Sequence, residues 1–281
     1  RVAQFDLALQ SGRMGIWEWD IPVDHVTWSS HLYEMFGHTP ESFQATKAGF
    51  LDVVFPDDRP QLESMIKSAF TRSCSSHEVE FRVVRGDNGA TVWTHCRGTV
   101  RRDDDGSPLT IISVAVDITE RKQRELSLAF LSDLQSRLAG FSTADAIVAE
   151  ASHQVAEYLQ LSHLLLIEMD DEATQAHVIS DHCRDETGSL LGVYSMTGFA
   201  TESERRQLVA GFPMIVCDTL SPYRPAALAE NFEKLNVGAI LNAPCKRAKK
   251  LTFMLSALKS TAYEWKEHEV QLLRELATIL R

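Results

Sequence analysis

The chain has 281 residues, 44% of them hydrophobic, and a formal net charge of -11. That length supports about two domains with real cores, and the acidic balance, without a Lys/Arg stripe among aromatics, argues against nucleic acid or an anionic membrane surface as partner. No apolar run reaches bilayer length, no signal peptide opens the chain, and five cysteines without a C-x-x-C pair read as reduced thiols of a cytoplasmic protein.

Residues 1–10 read as a helix ending at Ser11-Gly12. Gly15 to Asp20 and His25 to Trp28 follow as short strands, with Pro22 and Asp24 marking the turn between them. Ser29 or Ser30 is placed to cap a short helix that stops at Gly37. Asp57-Asp58-Arg59-Pro60 opens the next helix, with acids at its positive end, and it runs to about Thr71. Glu78 to Arg85 alternates apolar and charged residues and so has one wet face. Asp87-Asn88-Gly89 is a hairpin signal, Thr91 to Arg102 is the next strand, and the β-branched run Thr110 to Val116 is the last. A five-stranded antiparallel sheet, with helices inserted between the second and third strands, is the economical assembly.

Arg121 to Phe141 reads as a linking helix, with Leu131, Leu134, Leu138 and Phe141 at helical spacing. Ser142 or Thr143 caps a second helix through Leu159. Strands are predicted at Leu164 to Met169, Gln175 to Asp181, Pro213 to Cys217, Val237 to Pro244 and Leu251 to Leu258. Arg184 to Gly198 reads as loop, while Glu202 to Ala210, Ala226 to Leu235 and Lys266 to Leu280 read as helices. The fold class is α+β, in two domains (1–120 and 142–281), each a central antiparallel sheet with flanking helices, joined by the long helix over 121–141. Both ends fall within helix-like patterns and the chain begins at Arg1, as expected of a piece of a longer protein.

The residues Trp17-Glu18-Trp19-Asp20, Trp28-Ser29, Phe36-Gly37, Phe55-Pro56-Asp57-Asp58-Arg59, Glu80-Phe81-Arg82, Trp93 and Val116-Asp117-Ile118-Thr119-Glu120-Arg121-Lys122 resemble a PAS domain of the tryptophan-rich subtype, over roughly residues 4–122. The resemblance implies that Asp117 and Thr119 tie the sheet to the outgoing helix. Val237 to Pro244, the strand after it, and Trp265 to Ala277 look like a GAF domain of the kind that follows PAS domains in bacterial sensor histidine kinases. The family's hairpin glycine after the proline is replaced by Cys245-Lys246-Arg247-Ala248-Lys249-Lys250.

These resemblances imply a cytoplasmic sensory region of a bacterial two-component system, without catalysis of its own. It would bind a small ligand or a partner, and the apolar seams on the linker and terminal helices suggest a homodimer through them. No cofactor is expected. The flavin-adduct Gly-Arg-Asn-Cys motif is absent, Gln61 to Met65 has no histidine for a haem, and Tyr223 to Leu235 has no bilin attachment motif. No metal site is expected either; His77 and His95 are placed as possible cross-strand neighbours, and His182-Cys183 has no visible second pair. The candidate PAS pocket is Trp28, Phe36, Phe50, Val54, Phe81 and Trp93, which reads equally as a closed core. The candidate GAF pocket is Tyr194, Met196, Phe199, Phe212, Tyr223 and Phe232, aromatics and a methionine on largely irregular chain. Two alternatives stand beside this reading: a dimerisation or interaction module of a diguanylate cyclase or similar protein, and a thiol-based GAF reductase using Cys183, Cys217 and Cys245. The three cysteines read more simply as buried, inert thiols.

Overall fold

The computed structural model describes residues 12–71, 75–170, 172–184, 188–247 and 250–280. The helix expected over residues 1–10, and Cys74, lie outside them. The chain divides between Gln123 and Arg124 into two compact units.

The first unit opens with β1 (Met14–Asp20) and β2 (His25–Trp28). Alternation along β1 sends Trp17 and Trp19 inward and Glu18 outward, and the register sets Trp17 opposite Trp28. Helix α1 (Ser30–Phe36) ends on Gly37 at φ 65°, the left-handed cap that glycine supplies without strain. Ser29 holds the N-cap position, yet its hydroxyl accepts the Ile16 amide at 3.0 Å and so ties the helix to β1 rather than capping it. After α2 (Lys47–Val53), a 3-10 turn at Pro56–Asp58 leads into α3 (Arg59–Ala69). Strands β3 (Ser76–Val84), β4 (Thr91–Arg102) and β5 (Pro108–Asp117) complete an antiparallel sheet of order β2-β1-β5-β4-β3. The helices fall between the second and third strands, as the sequence implied.

Edge strand β3 is covered rather than left open. The Phe55 amide donates to the Arg82 carbonyl at 2.8 Å, and the Arg82 amide donates to Asp58 Oδ2 at 2.7 Å. The Arg82 side chain adds Nε to Oδ2 at 2.9 Å and Nη2 to Oδ1 at 2.7 Å, a two-pronged pair that binds the turn before α3 to the sheet.

The second unit takes up most of α4 (Thr119–Leu138) and then α5 (Ala144–Leu159), which Thr143 caps through the Ala146 amide. Strands β6 (His163–Met169), β7 (Gln175–Cys183) and β8 (Gly192–Ser195) are followed by α6 (Glu202–Ala210), β9 (Met214–Val216), α7 (Ala226–Lys234), β10 (Ala239–Arg247), β11 (Lys250–Lys259) and α8 (Glu267–Ile279). The sheet is antiparallel, of order β8-β7-β6-β11-β10-β9. β8 lies where the sequence implied only loop. Its four residues alternate in exposure at the sheet edge and carry no apolar run, so pairing with β7 makes it a strand.

Helices α4, α5 and α8 cover one face of this sheet, burying Leu134, Val155 and Leu273 against Leu164, Leu241 and Ala257. The other face carries Leu165, Ile167, Ile240 and Met254 under α6, α7 and the chain around residues 190–200. Burial on both faces explains why β6 and β10 read as near-continuous apolar runs. The apolar spacing that suggested a dimer seam has the same origin. Leu131, Leu134 and Leu138 of α4, and Val270, Leu273, Leu276 and Ala277 of α8, are buried in the unit's own core, whereas Phe141 is exposed. The linker is thus mostly a part of the second unit, and the expected separate segment over 121–141 gives way to a division inside α4.

Candidate ligand cavity and sheet-to-helix junction

In the first unit, five of the six candidate pocket residues, Trp28, Phe36, Phe50, Val54 and Phe81, are buried together in one core. Trp28 stacks on Phe43 at 3.6 Å between ring centroids, Trp17 stacks on Phe50 at 5.4 Å, and Phe81 meets Phe50 edge-on at 5.9 Å. These rings fill one another's space. Trp93 is not among them. Its neighbours on β4, Val92 and Thr94, point to the core, so Trp93 falls on the opposite face of the sheet with Arg82 and His95. His77 and His95 are likewise not neighbours: His77 lies on the core face, 2.6 Å from Ser113 Oγ, and His95 faces outward, 2.8 Å from Glu78.

On that outer face Trp93 belongs to the junction. Its amide donates to Thr119 Oγ1 and its carbonyl accepts the Ile118 amide, each at 2.9 Å. Asp117 Oδ1 accepts the Thr119 amide at 2.9 Å, so one carboxylate closes the turn from β5 into α4. Glu80 on β3 pairs with Arg121 and, at 2.6 Å, with Lys122; these hydrogen bonds, that of Lys122 foremost, hold its carboxyl below the usual carboxylate range. The Arg82 guanidinium lies 5.3 Å and the Lys122 ammonium 5.4 Å from the Trp93 ring centroid. Contacts therefore run from Asp58 through Arg82 and Trp93 to Thr119 and the first turn of α4. The family motif marked Asp117 and Thr119 as the junction; Glu80, Arg82 and Trp93 carried the resemblance too, but their part in the junction was not legible, because pairing partners across a sheet lie far apart in sequence.

The second unit holds a cavity of about 70 Å³ between its sheet, α7 and the chain around residues 190–200. Four of the six candidates line it: Tyr194, Met196, Phe199 and Phe232. Phe212 and Tyr223 do not; they are 61% and 96% exposed. Phe212 lies just past the end of α6 and Tyr223 inside the turn that the Arg224 amide closes on the Ser221 carbonyl, where an aromatic gains no burial from its position in the chain. The strands supply the rest of the wall, including Leu165, Ile167, Ala176, Val178 and Met254. Their signal was present in the sequence as the second apolar face of β6 and β11, but pairing was needed to show that this face bounds a space. The lining is apolar except for Asn242 and Ser256, whose side chains hydrogen-bond across β10 and β11 at 2.5 Å. Among the described residues, no group of three metal-binding side chains forms, and no helix is long and apolar enough to cross a membrane.

Residues 25–115 match the family model described as the PAS fold. Part of the chain is 30% identical over 131 residues to the sensor protein FixL of Bradyrhizobium diazoefficiens, covering 46% of this chain and 25% of that protein. It is 27% identical over 119 residues to a probable diguanylate cyclase, DgcE, of Escherichia coli, covering 42% of this chain and 10% of that one. The matched stretch thus spans a quarter or less of either relative. Among solved structures, a bacteriophytochrome of R. palustris aligns over 96% of this chain and 56% of its own, with 12% identity and a TM-score of 0.47. The family match falls on β2 through β5, including most of the strands and helices that build the Trp93 side of the junction. Residues 25–115 thus carry the PAS fold, and the unit that follows is a second α+β body with its own antiparallel sheet.

Proposed function

We propose that this region is the input of a sensor histidine kinase and that its GAF domain takes up a compact, mostly apolar molecule in the cavity beside Asn242. The cavity is the observation that carries this reading: a concave wall of apolar strand and loop side chains is the arrangement that takes up small apolar molecules. A volume of about 70 Å³ supports a molecule far smaller than a flavin, haem or bilin. On this reading the PAS domain relays the signal through the Trp93–Thr119 junction, and the protein works as a homodimer. The contact uses apolar side chains that α4 leaves exposed, Leu126 and Leu128. The likeness to a diguanylate cyclase supports a second reading, in which the same region serves a cyclase. The output domain of the full-length protein, a phosphoacceptor-histidine helix or a cyclase signature, separates the two.

The ligand reading is tested by a thermal-shift screen of small apolar compounds. A true ligand at about a hundred times its Kd stabilises its domain by about 2.7 kcal/mol. Ala176→Leu pushes a branched chain into the cavity and should abolish that shift while the domain stays folded. Shifts that survive the substitution place the binding elsewhere. For the junction, Asp117→Ala should cost about 1 kcal/mol of PAS stability, the scale of a lost cap, yet separate ligand from output in the full-length protein. Intact signalling in the folded variant would reduce Asp117 to a local turn-former.

A further inference from the structure

We propose that Cys183, with His163 and Asp181, forms a thiol-modification site at which a small hydroperoxide oxidises the sulfur. The register of β6 and β7 sets His163 directly opposite Cys183, and Asp181 lies two residues before Cys183 on the same strand. All three side chains therefore share one face of the sheet. Asp181 Oδ1 lies 2.9 Å from His163 Nδ1, and Asp181 Oδ2 accepts the Leu190 amide at 2.6 Å. Cys183 Sγ lies 3.8 Å from His163 Nε2. Burial by itself would raise the Asp181 carboxyl, but the hydrogen bonds from His163 and from the Leu190 amide outweigh it and bring the group below the usual carboxylate range. An ionised Asp181 on Nδ1 keeps the ring proton on that nitrogen and turns the Nε2 lone pair toward the thiol.

That is the order of groups that activates a sulfur nucleophile: carboxylate, imidazole, thiol. The thiol proton passes to Nε2, leaving a thiolate beside an imidazolium. The thiolate sulfur attacks one oxygen of the hydroperoxide; the S–O bond forms as the O–O bond breaks. The departing oxygen takes the imidazolium proton and leaves as water or an alcohol. Sulfur loses two electrons to the O–O bond and becomes a sulfenic acid.

The other described cysteines differ in kind. Cys96 is buried, and burial pushes its thiol up to about 12; Cys245 is buried as well. Cys217 is exposed, and among the described residues no imidazole hydrogen-bonds it. Of the three thiols expected to be buried, Cys245 is and Cys217 is not, while Cys183 is half-buried and is the one described cysteine set against a carboxylate-held imidazole. The site is distinct from the ligand cavity, although Leu190, whose amide holds Asp181, also lines that cavity.

The intact chain, exposed to limiting hydrogen peroxide with dimedone present, allows sulfenic acid to be counted at each cysteine peptide by mass spectrometry. Cys183 should label at least about tenfold faster than Cys217, because the thiolate rather than exposure sets the rate. His163→Gln should bring Cys183 down to or below the rate of Cys217. Labelling of Cys217 as fast as Cys183 would overturn the proposal, and that comparison needs no variant. An unchanged Cys183 rate in folded His163→Gln would overturn it equally, leaving His163–Asp181 as a buried structural pair.

Discussion

Leu134→Ala should lower the stability of the GAF-like domain by about 3 kcal/mol and its Tm by roughly 6–12 °C. Leu134 is 1% exposed and packs in the core formed by α4, α5 and α8 on the sheet. Its loss removes apolar contacts and leaves a cavity that rigid neighbours fill only in part. Val209, on α6 and 45% exposed, is the control, and Val209→Ala should stay within about 0.5 kcal/mol of the parent. Calorimetry gives the stabilities and sedimentation the association state. If Leu134→Ala left Tm unchanged but dissociated a dimer, the Leu131–Leu134–Leu138 stripe itself would lie between chains rather than in the domain's own core.

Asp58→Ala should destabilise the PAS domain by about 2–3 kcal/mol. The carboxylate accepts three hydrogen bonds from Arg82, one of them the backbone amide on edge strand β3. Removing it leaves only the Phe55 amide on that edge and the half-buried Arg82 guanidinium with Asp57 alone, 3.8 Å away; the Arg82 side chain is 26% exposed, which places the cost below that of a fully buried pair. The Arg82 hydrogen bond holds the Asp58 carboxyl below the usual carboxylate range. The contribution is therefore complete above the unfolded value of about 3.9 and is lost as pH falls through the lower folded value. Urea unfolding should show a constant gap between parent and Asp58→Asn from about pH 8 to pH 5, closing below about pH 4. A gap that widened on acidification would exclude ionised Asp58 as the partner. The same substitution should disturb the junction, since Arg82 also lies against Trp93.

The proposed functions place two different chemistries in one domain. The cavity near Asn242 suits reversible occupancy by a small molecule, and the Cys183 cluster suits a covalent change, so each can be removed without touching the other. Ala176→Leu leaves the thiol cluster intact, and His163→Gln leaves every cavity-lining residue in place.

Local pattern alone determined most of the elements of this chain. Period-two alternation marked β3, the Asp87-Asn88-Gly89 turn joined it to β4, and helical spacing with a cap at Ser142 or Thr143 placed α5. The Asp117-Ile118-Thr119 motif, through its family, pointed to the junction before any distance was known. What the tertiary structure decided was which face each side chain serves. Trp93 looked like pocket lining until the register with β3 put it outside the core. Leu131, Leu134 and Leu138 looked like a seam between chains, because an apolar stripe on a helix has the same spacing whether its partner is a second helix or the domain's own sheet. The Cys183–His163–Asp181 cluster was not visible at all, since the residues lie up to 20 positions apart and meet only across paired strands. Sequence carries periodicity, which is local; a site is a convergence of side chains from separate elements, and only pairing and packing can bring that about.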